Sequence, residues 1–319
     1  MPEGEPVPVE APPGGTGTGG TGTESGGWVD SHHHLWRPDP RRYPWLAGPG
    51  LAALNRPFGR ADLAAAAAGT GIGAAVVVQA ADEVTETVDL LALAGSAGGR
   101  GVRTGPGAPR VVAVVGWADL RDPGAPAWLD RLRAAPGGAR LAGVRASLRG
   151  VPDPGWLAGP GPAAALRHLA ARGLSLDLLA GPPALTAAGT AAAGHPGLRV
   201  ILDHAGHPPL ADRTALGAWA ASVRRFARHP NTAVKFSGVW TRAPGARWDP
   251  GDLRPVAETL LEAFGPGRVM FGSDWPVCLL SASYPEVVAA ARAALGLAGA
   301  DEQRVFGGNA RAWYRLPSG

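Results

Sequence analysis

Eight short apolar runs, separated by segments of helical periodicity, constrain the fold of this chain more than any other feature. The runs are residues 28–30, 74–78, 111–115, 141–144, 174–178, 200–202, 233–236 and 269–271. They are rich in Val, Ile and Leu and lack the polar alternation of a half-exposed strand, so they read as parallel strands buried on both faces. Between them, residues 63–68, 84–93, 163–171, 216–226, 256–264 and 287–295 are rich in Ala, Leu and Arg, with apolar positions at helical spacing. Pro and Gly punctuate the connections, as at Asp122-Pro123-Gly124 and Gly265-Pro266-Gly267. Eight such units across residues 28–319 predict an α/β chain folded as a (β/α)8 TIM barrel rather than a doubly wound sheet. No GxGxxG follows the first run, which argues against a dinucleotide fold. Residues 1–27 are Gly- and Thr-rich with little to bury, and read as a disordered, low-complexity tail.

Composition narrows the classes further. The chain has 48 glycines and 32 prolines, yet 45% of its residues are hydrophobic, enough to exclude wholesale disorder. A single cysteine, Cys278, excludes a disulfide framework and a cysteine-based zinc site. No charge-free apolar run is long enough to cross a membrane, and no basic-then-apolar leader opens the chain, so a soluble cytoplasmic protein is expected. The formal charge is +4, but the arginines are scattered and no block of them interleaves with aromatics. This pattern argues against nucleic acid and fits a small, anionic substrate. No heptad pattern marks an oligomer interface, although pairing through the outer helices into a homo-oligomer is compatible with the sequence.

In a barrel of this kind the chemistry sits at the C-terminal ends of the strands. Polar residues occupy nearly all of those positions. The first run leads into Ser31-His32-His33-His34, the second into Gln79, the third into Trp117 and Asp119, and the fourth into Arg145. The fifth contains Asp177, the sixth ends in Asp203-His204, the seventh carries Lys235 and Ser237, and the eighth leads into Ser273-Asp274-Trp275. Residues i and i+2 of a strand share a face, so His32 and His34 can grip one cation. His204 and Asp274 complete a nitrogen and oxygen donor set suited to zinc, iron or manganese. One divalent metal is expected, and Asp177 with an additional histidine offers a second site.

The run Val29-Asp30-Ser31-His32-His33-His34-Leu35-Trp36, followed by Tyr43-Pro44-Trp45-Leu46, resembles the opening of the amidohydrolase-related proteins, especially their sugar-lactone hydrolase (fuconolactonase-like) branch. The likeness continues through Val78-Gln79-Ala80, Gly116-Trp117-Ala118-Asp119-Leu120, Gly143-Val144-Arg145, Leu202-Asp203-His204, Lys235-Phe236-Ser237-Gly238, Phe271-Gly272-Ser273-Asp274-Trp275-Pro276 and Gly308-Asn309-Ala310. It implies a barrel hydrolase with its site at the positions already picked out. Two departures stand out. His33 occupies the middle of a motif whose central residue is usually not histidine, and His207 replaces a lysine usual in the loop after the sixth strand. Binuclear members of the wider superfamily carry a carbamylated lysine on strand 4 and a histidine on strand 5. Here Arg145 and Asp177 stand there, so that bridge is absent.

For ester-type cleavage, His204 or a metal polarises the carbonyl, Asp274 accepts a proton from water, and Arg145 holds the carbonyl oxygen or a substrate carboxylate. Trp36, Trp45, Gln79, Trp117, Lys235, His207 and Trp275 are expected to contact substrate. Asp177 has a structural alternative, pairing with Arg145. A lactone is the leading substrate class. Hydrolysis of an acyl-CoA or similar thioester, metal-dependent decarboxylation, and a non-catalytic metal-binding scaffold are the alternatives.

Overall fold

The computed structural model describes residues 27–96, 108–240 and 250–316. The expected tail, apart from Gly27, lies outside the described residues. The eight strands are β1 Trp28–His33, β2 Ile72–Val78, β3 Arg110–Gly116, β4 Leu141–Ser147, β5 Ser175–Leu179, β6 Val200–Leu202, β7 Thr232–Phe236 and β8 Val269–Phe271. They form one parallel sheet in sequential order. Just past β8, Asp274 N donates to His32 O at 2.8 Å and His34 N donates to Trp275 O at 2.7 Å, tying the two ends of the sheet together. The expected (β/α)8 barrel is therefore the observed fold.

Helices α1 Arg60–Ala66, α2 Val84–Gly95, α3 Ala125–Ala134, α4 Ala163–Arg172, α5 Leu185–Gly194, α6 Arg213–Ala227, α7 Pro250–Phe264 and α8 Tyr284–Leu295 alternate with the strands. Two of them, α3 and α5, are absent from the sequence reading. In α5, LTAAGTAAAG, small residues surround the whole helix and no amphipathic stripe forms. In α3, a proline just inside the start and a Gly before it make the sequence read as a turn.

The core divides into two layers. Val77, Val114, Val144, Leu176, Leu178, Leu202, Val234 and Phe236 pack against the helices. A smaller cluster of Val29, Val76, Val78, Val115, Ile201, Ala233 and Met270 fills the barrel, joined by Ala310 and Tyr314 from the C-terminal segment. That segment comprises the short helices α9 Gly299–Gln303 and α10 Asn309–Trp313 and the residues that follow. It reaches the end of the barrel opposite the histidines, where Tyr314, Arg315 and Leu316 border the first residues of β4. Among the described residues no helix is long and apolar enough to cross a membrane.

Candidate metal centre

His32 lies on β1 and His34 just past its end, so the i, i+2 alternation turns both imidazoles to one side. Their Nε2 atoms approach to 3.3 Å. The seam between β8 and β1 brings Asp274 alongside, with Oδ1 3.5 Å from His34 Nε2 and 3.9 Å from His32 Nε2. His204, in the turn after β6, places its Nε2 3.9 Å from the same oxygen. One ligand atom each from His32, His204 and Asp274 lies within 4.8 Å of the others. Ligands each about 2.0–2.1 Å from a tetrahedral zinc stand roughly 3.3 Å apart, so the two strand-one nitrogens have the spacing of a chelating pair.

For His34 the opposite ring nitrogen explains why Nε2 is free to ligate. His34 Nδ1 lies 2.8 Å from the Val78 carbonyl, which can only accept, so the proton is on Nδ1 and Nε2 keeps its lone pair. His204 Nδ1 faces Ser237 Oγ at 3.0 Å. His32 Nδ1 lies 3.1 Å from Lys235 Nζ and 3.3 Å from Asp203 Oδ1, so an ammonium and a carboxylate both face the side of the ring away from the cluster. Burial lowers all three imidazoles, helped by Lys235 at His32 and by Arg145 at His34 and opposed by Asp274 and Asp203 at His204, leaving His34 at about 3, His204 at about 4 and His32 well below its ordinary value. Burial pushes the Asp274 carboxyl up, against the opposing pull of His204 and Arg145.

Backbone strain concentrates here. His204, Ala205, His207 and Asp274 all have positive φ, between 52° and 57°. These are costly conformations for residues with a Cβ, and they persist only where the surroundings enforce them. Gly238 also has positive φ, and a Cβ on it would stand 2.6 Å from His204 Nδ1. Only glycine lets the chain after β7 pass so close to the ligand.

The other predicted site residues fall into three groups. Arg145 is near the cluster, its guanidinium donating to the Gln79 carbonyl at 2.6 Å and to Gln79 Oε1 at 3.1 Å, and lying 3.8 Å from Asp203 Oδ2. His207 stands with its ring 5.4 Å from that of His204, and its buried Nε2 has no hydrogen-bond partner among the described residues. Burial holds its pKa at about 4. Trp117 is partly buried and Trp45 is 36% exposed, positions open to a ligand.

Trp36 and Trp275 are buried in the wall behind the histidines. The Trp36 indole donates to the Leu54 carbonyl and packs on Trp45 and Phe58, and Trp275 also packs on Phe58. His33 alternates to the opposite face of β1 and is fully buried, apart from the ligand cluster.

Lys235 and Asp177 differ from expectation. Lys235 was expected to contact substrate, but its side chain is completely enclosed, with Nζ 2.6 Å from Asp177 Oδ2 and 2.9 Å from Asp203 Oδ1. It lies within β7 rather than past its end. Asp177 was expected as a ligand, or as a partner of Arg145. The two are register neighbours on β4 and β5, but the Asp177 carboxylate turns to Lys235, Ser175 and Tyr314 and stays out of the ligand cluster. A second metal through Asp177 has no support in this arrangement. Asp203, unassigned in the sequence reading, emerges as the residue facing His32, Lys235 and Arg145. Its place beside His204 was the available signal.

The sequence profile of the Amidohydrolase family matches residues 29–316. Two curated relatives are L-fucono-1,5-lactonases. The one from Burkholderia multivorans (strain ATCC 17616 / 249) is 37% identical over 300 residues, covering 91% of this chain and 96% of its own. The one from Burkholderia ambifaria is 34% identical over 298 residues, covering 91% and 97%. A crystal structure of an amidohydrolase from Burkholderia multivorans with bound zinc superimposes with a TM-score of 0.81 at 35% identity, covering 91% of this chain and 99% of that one. With an eight-stranded parallel barrel and three imidazoles converging on a carboxylate past its last strand, the chain belongs to the amidohydrolase family.

Proposed function

We propose that this protein is a metal-assisted lactonase, opening the ring of a sugar-derived 1,5-lactone to the hydroxy acid. The carrying observation is the convergence of His32, His34 and His204 Nε2 on Asp274 Oδ1. The activity of the two Burkholderia relatives supports the lactone as substrate class. The thioesterase, decarboxylase and scaffold alternatives draw no support from them.

His32, His34, His204 and Asp274 would hold a divalent cation, zinc being the ion in the related crystal structure. When bound, that cation supplies Lewis acidity for the carbonyl and lowers the pKa of a water. Asp274 accepts the proton as the water oxygen bonds to the carbonyl carbon. The ring C–O bond then breaks, and Asp274 returns the proton to the departing alkoxide, which leaves as the hydroxyl of the product. Arg145, fixed by Gln79, presents its remaining donors to an acyl oxygen, where a planar guanidinium suits the developing charge. His207, Trp45 and Trp117 line the approach and orient the sugar hydroxyls and ring faces.

The test is a panel of 1,5- and 1,4-aldonolactones assayed by proton release beside acyclic esters and acyl-CoA thioesters. Turnover of 1,5-lactones, lowered roughly 10²–10⁴-fold in Asp274→Asn, is the expected result. Turnover of thioesters or acyclic esters with none of lactones overturns the reading.

A further inference from the structure

The barrel interior contains a buried polar chain that the reaction does not use directly. Tyr314, past the end of α10, donates its hydroxyl to Asp177 Oδ2 at 2.6 Å. The same oxygen accepts from Lys235 Nζ at 2.6 Å, while Asp177 Oδ1 accepts from Ser175 at 3.0 Å. Lys235 Nζ continues to Asp203 Oδ1 at 2.9 Å and lies 3.1 Å from His32 Nδ1. Asp177, Asp203, Lys235 and His32 have no exposed surface, and Tyr314 is 2% exposed. The network thus links the C-terminal segment at one end of the barrel to the imidazole at the other.

We propose that Tyr314 is a positioning residue for the metal ligand His32, acting through Asp177 and Lys235. The argument is one of competition for a single ammonium. Lys235 is shared between Asp177 and Asp203, and Asp203 in turn faces His32 Nδ1. Without the tyrosine hydroxyl, Asp177 Oδ2 has only the ammonium to satisfy it and draws Lys235 away from Asp203. Asp203 and His32 then lose their common anchor, and His32 Nε2 leaves its 3.3 Å approach to His34 Nε2. Such outer partners of ligating histidines typically influence metal affinity by about 10–100-fold. Tyr314 acts one link further out, so an effect near the lower end is expected. The Tyr314 ring also faces Lys235, 5.5 Å from ring centroid to Nζ, so Tyr314→Phe keeps the packing and removes only the hydroxyl.

This inference rests on the metal centre proposed above, and its test separates the two. Zinc affinity of the full chain is measured without substrate, by competition with a chromogenic chelator, alongside thermal unfolding of the zinc-free protein. Tyr314→Phe is expected to weaken zinc binding about tenfold. Leu316→Ala loosens the same C-terminal segment without touching the network, and is expected to lower the melting temperature while leaving zinc affinity within twofold. Asp177→Asn is the second variant: with the competing charge removed Lys235 stays with Asp203, so zinc is expected to bind at least as tightly as to the parent, which keeps the test open should Tyr314→Phe fail to fold. Unchanged affinity in Tyr314→Phe overturns the proposal alone, as does weakened binding in Asp177→Asn or an equal loss in Leu316→Ala. A parent protein that binds no zinc overturns it together with the centre on which it rests.

Discussion

Gly238 shows how closely individual residues define the centre. An added methyl group there meets His204 Nδ1 at 2.6 Å on a backbone with a φ of 63°. Gly238→Ala therefore both strains the chain, by about 1–2 kcal/mol, and displaces a ligand. We expect at least a tenfold fall in turnover and a lowered melting temperature, read from kinetics and thermal unfolding. His32→Ala and His204→Ala are expected to lose bound metal and turnover together, measured by metal analysis of protein purified without chelator. Retained turnover with lost metal would reduce the cation to a bystander. The approach of His32 to His34 was legible because alternation along a strand states which side chains share a face. Depth along the barrel axis was not legible. Lys235 and Ser237 share a face of the chain, but one lies inside the barrel and bonds two carboxylates, while the other meets His204 at the strand end.

At the scale of elements, the strand ends are held by the helices that follow them. Glu86 in α2 is 1% exposed. Its Oε2 accepts the backbone N–H groups of Ala80 and Ala81, and its Oε1 accepts the Tyr43 hydroxyl. These bonds fix the turn after β2, whose Gln79 carbonyl in turn holds Arg145. Removing the carboxylate in Glu86→Ala leaves the Ala80 and Ala81 N–H groups and the Tyr43 hydroxyl without their acceptor, at a cost of about 3 kcal/mol. Denaturant unfolding should record that loss, and turnover should fall because Arg145 loses its seat. All eight strands were readable as apolar runs because both of their faces are buried. Helices α3 and α5 were not, since one opens like a turn and the other lacks a polar face to mark its orientation. The buried glutamate was equally hidden, because nothing in a helical pattern distinguishes a carboxylate facing inward onto a loop from one in water.

For the molecule as a whole, buried imidazoles couple stability to acidity. His33, His204 and His207 are held at about 4 and His34 at about 3, against an ordinary value of 6.5. In the unfolded chain they take up protons as the pH falls through 6.5, whereas the fold refuses them until about 4. Stability of the zinc-free protein should therefore be fully present above pH 6.5 and decline between there and pH 4. A melting temperature that is flat across that window would contradict the assignment. The enclosed ammonium of β7 has a different, practical consequence, because Lys235 is the only lysine in the chain. A lysine-specific endoprotease has a single peptide bond to cut, and reaching it requires the seventh strand to leave the barrel. The appearance of two fragments, residues 1–235 and 236–319, would thus be a built-in clock for opening of the whole fold.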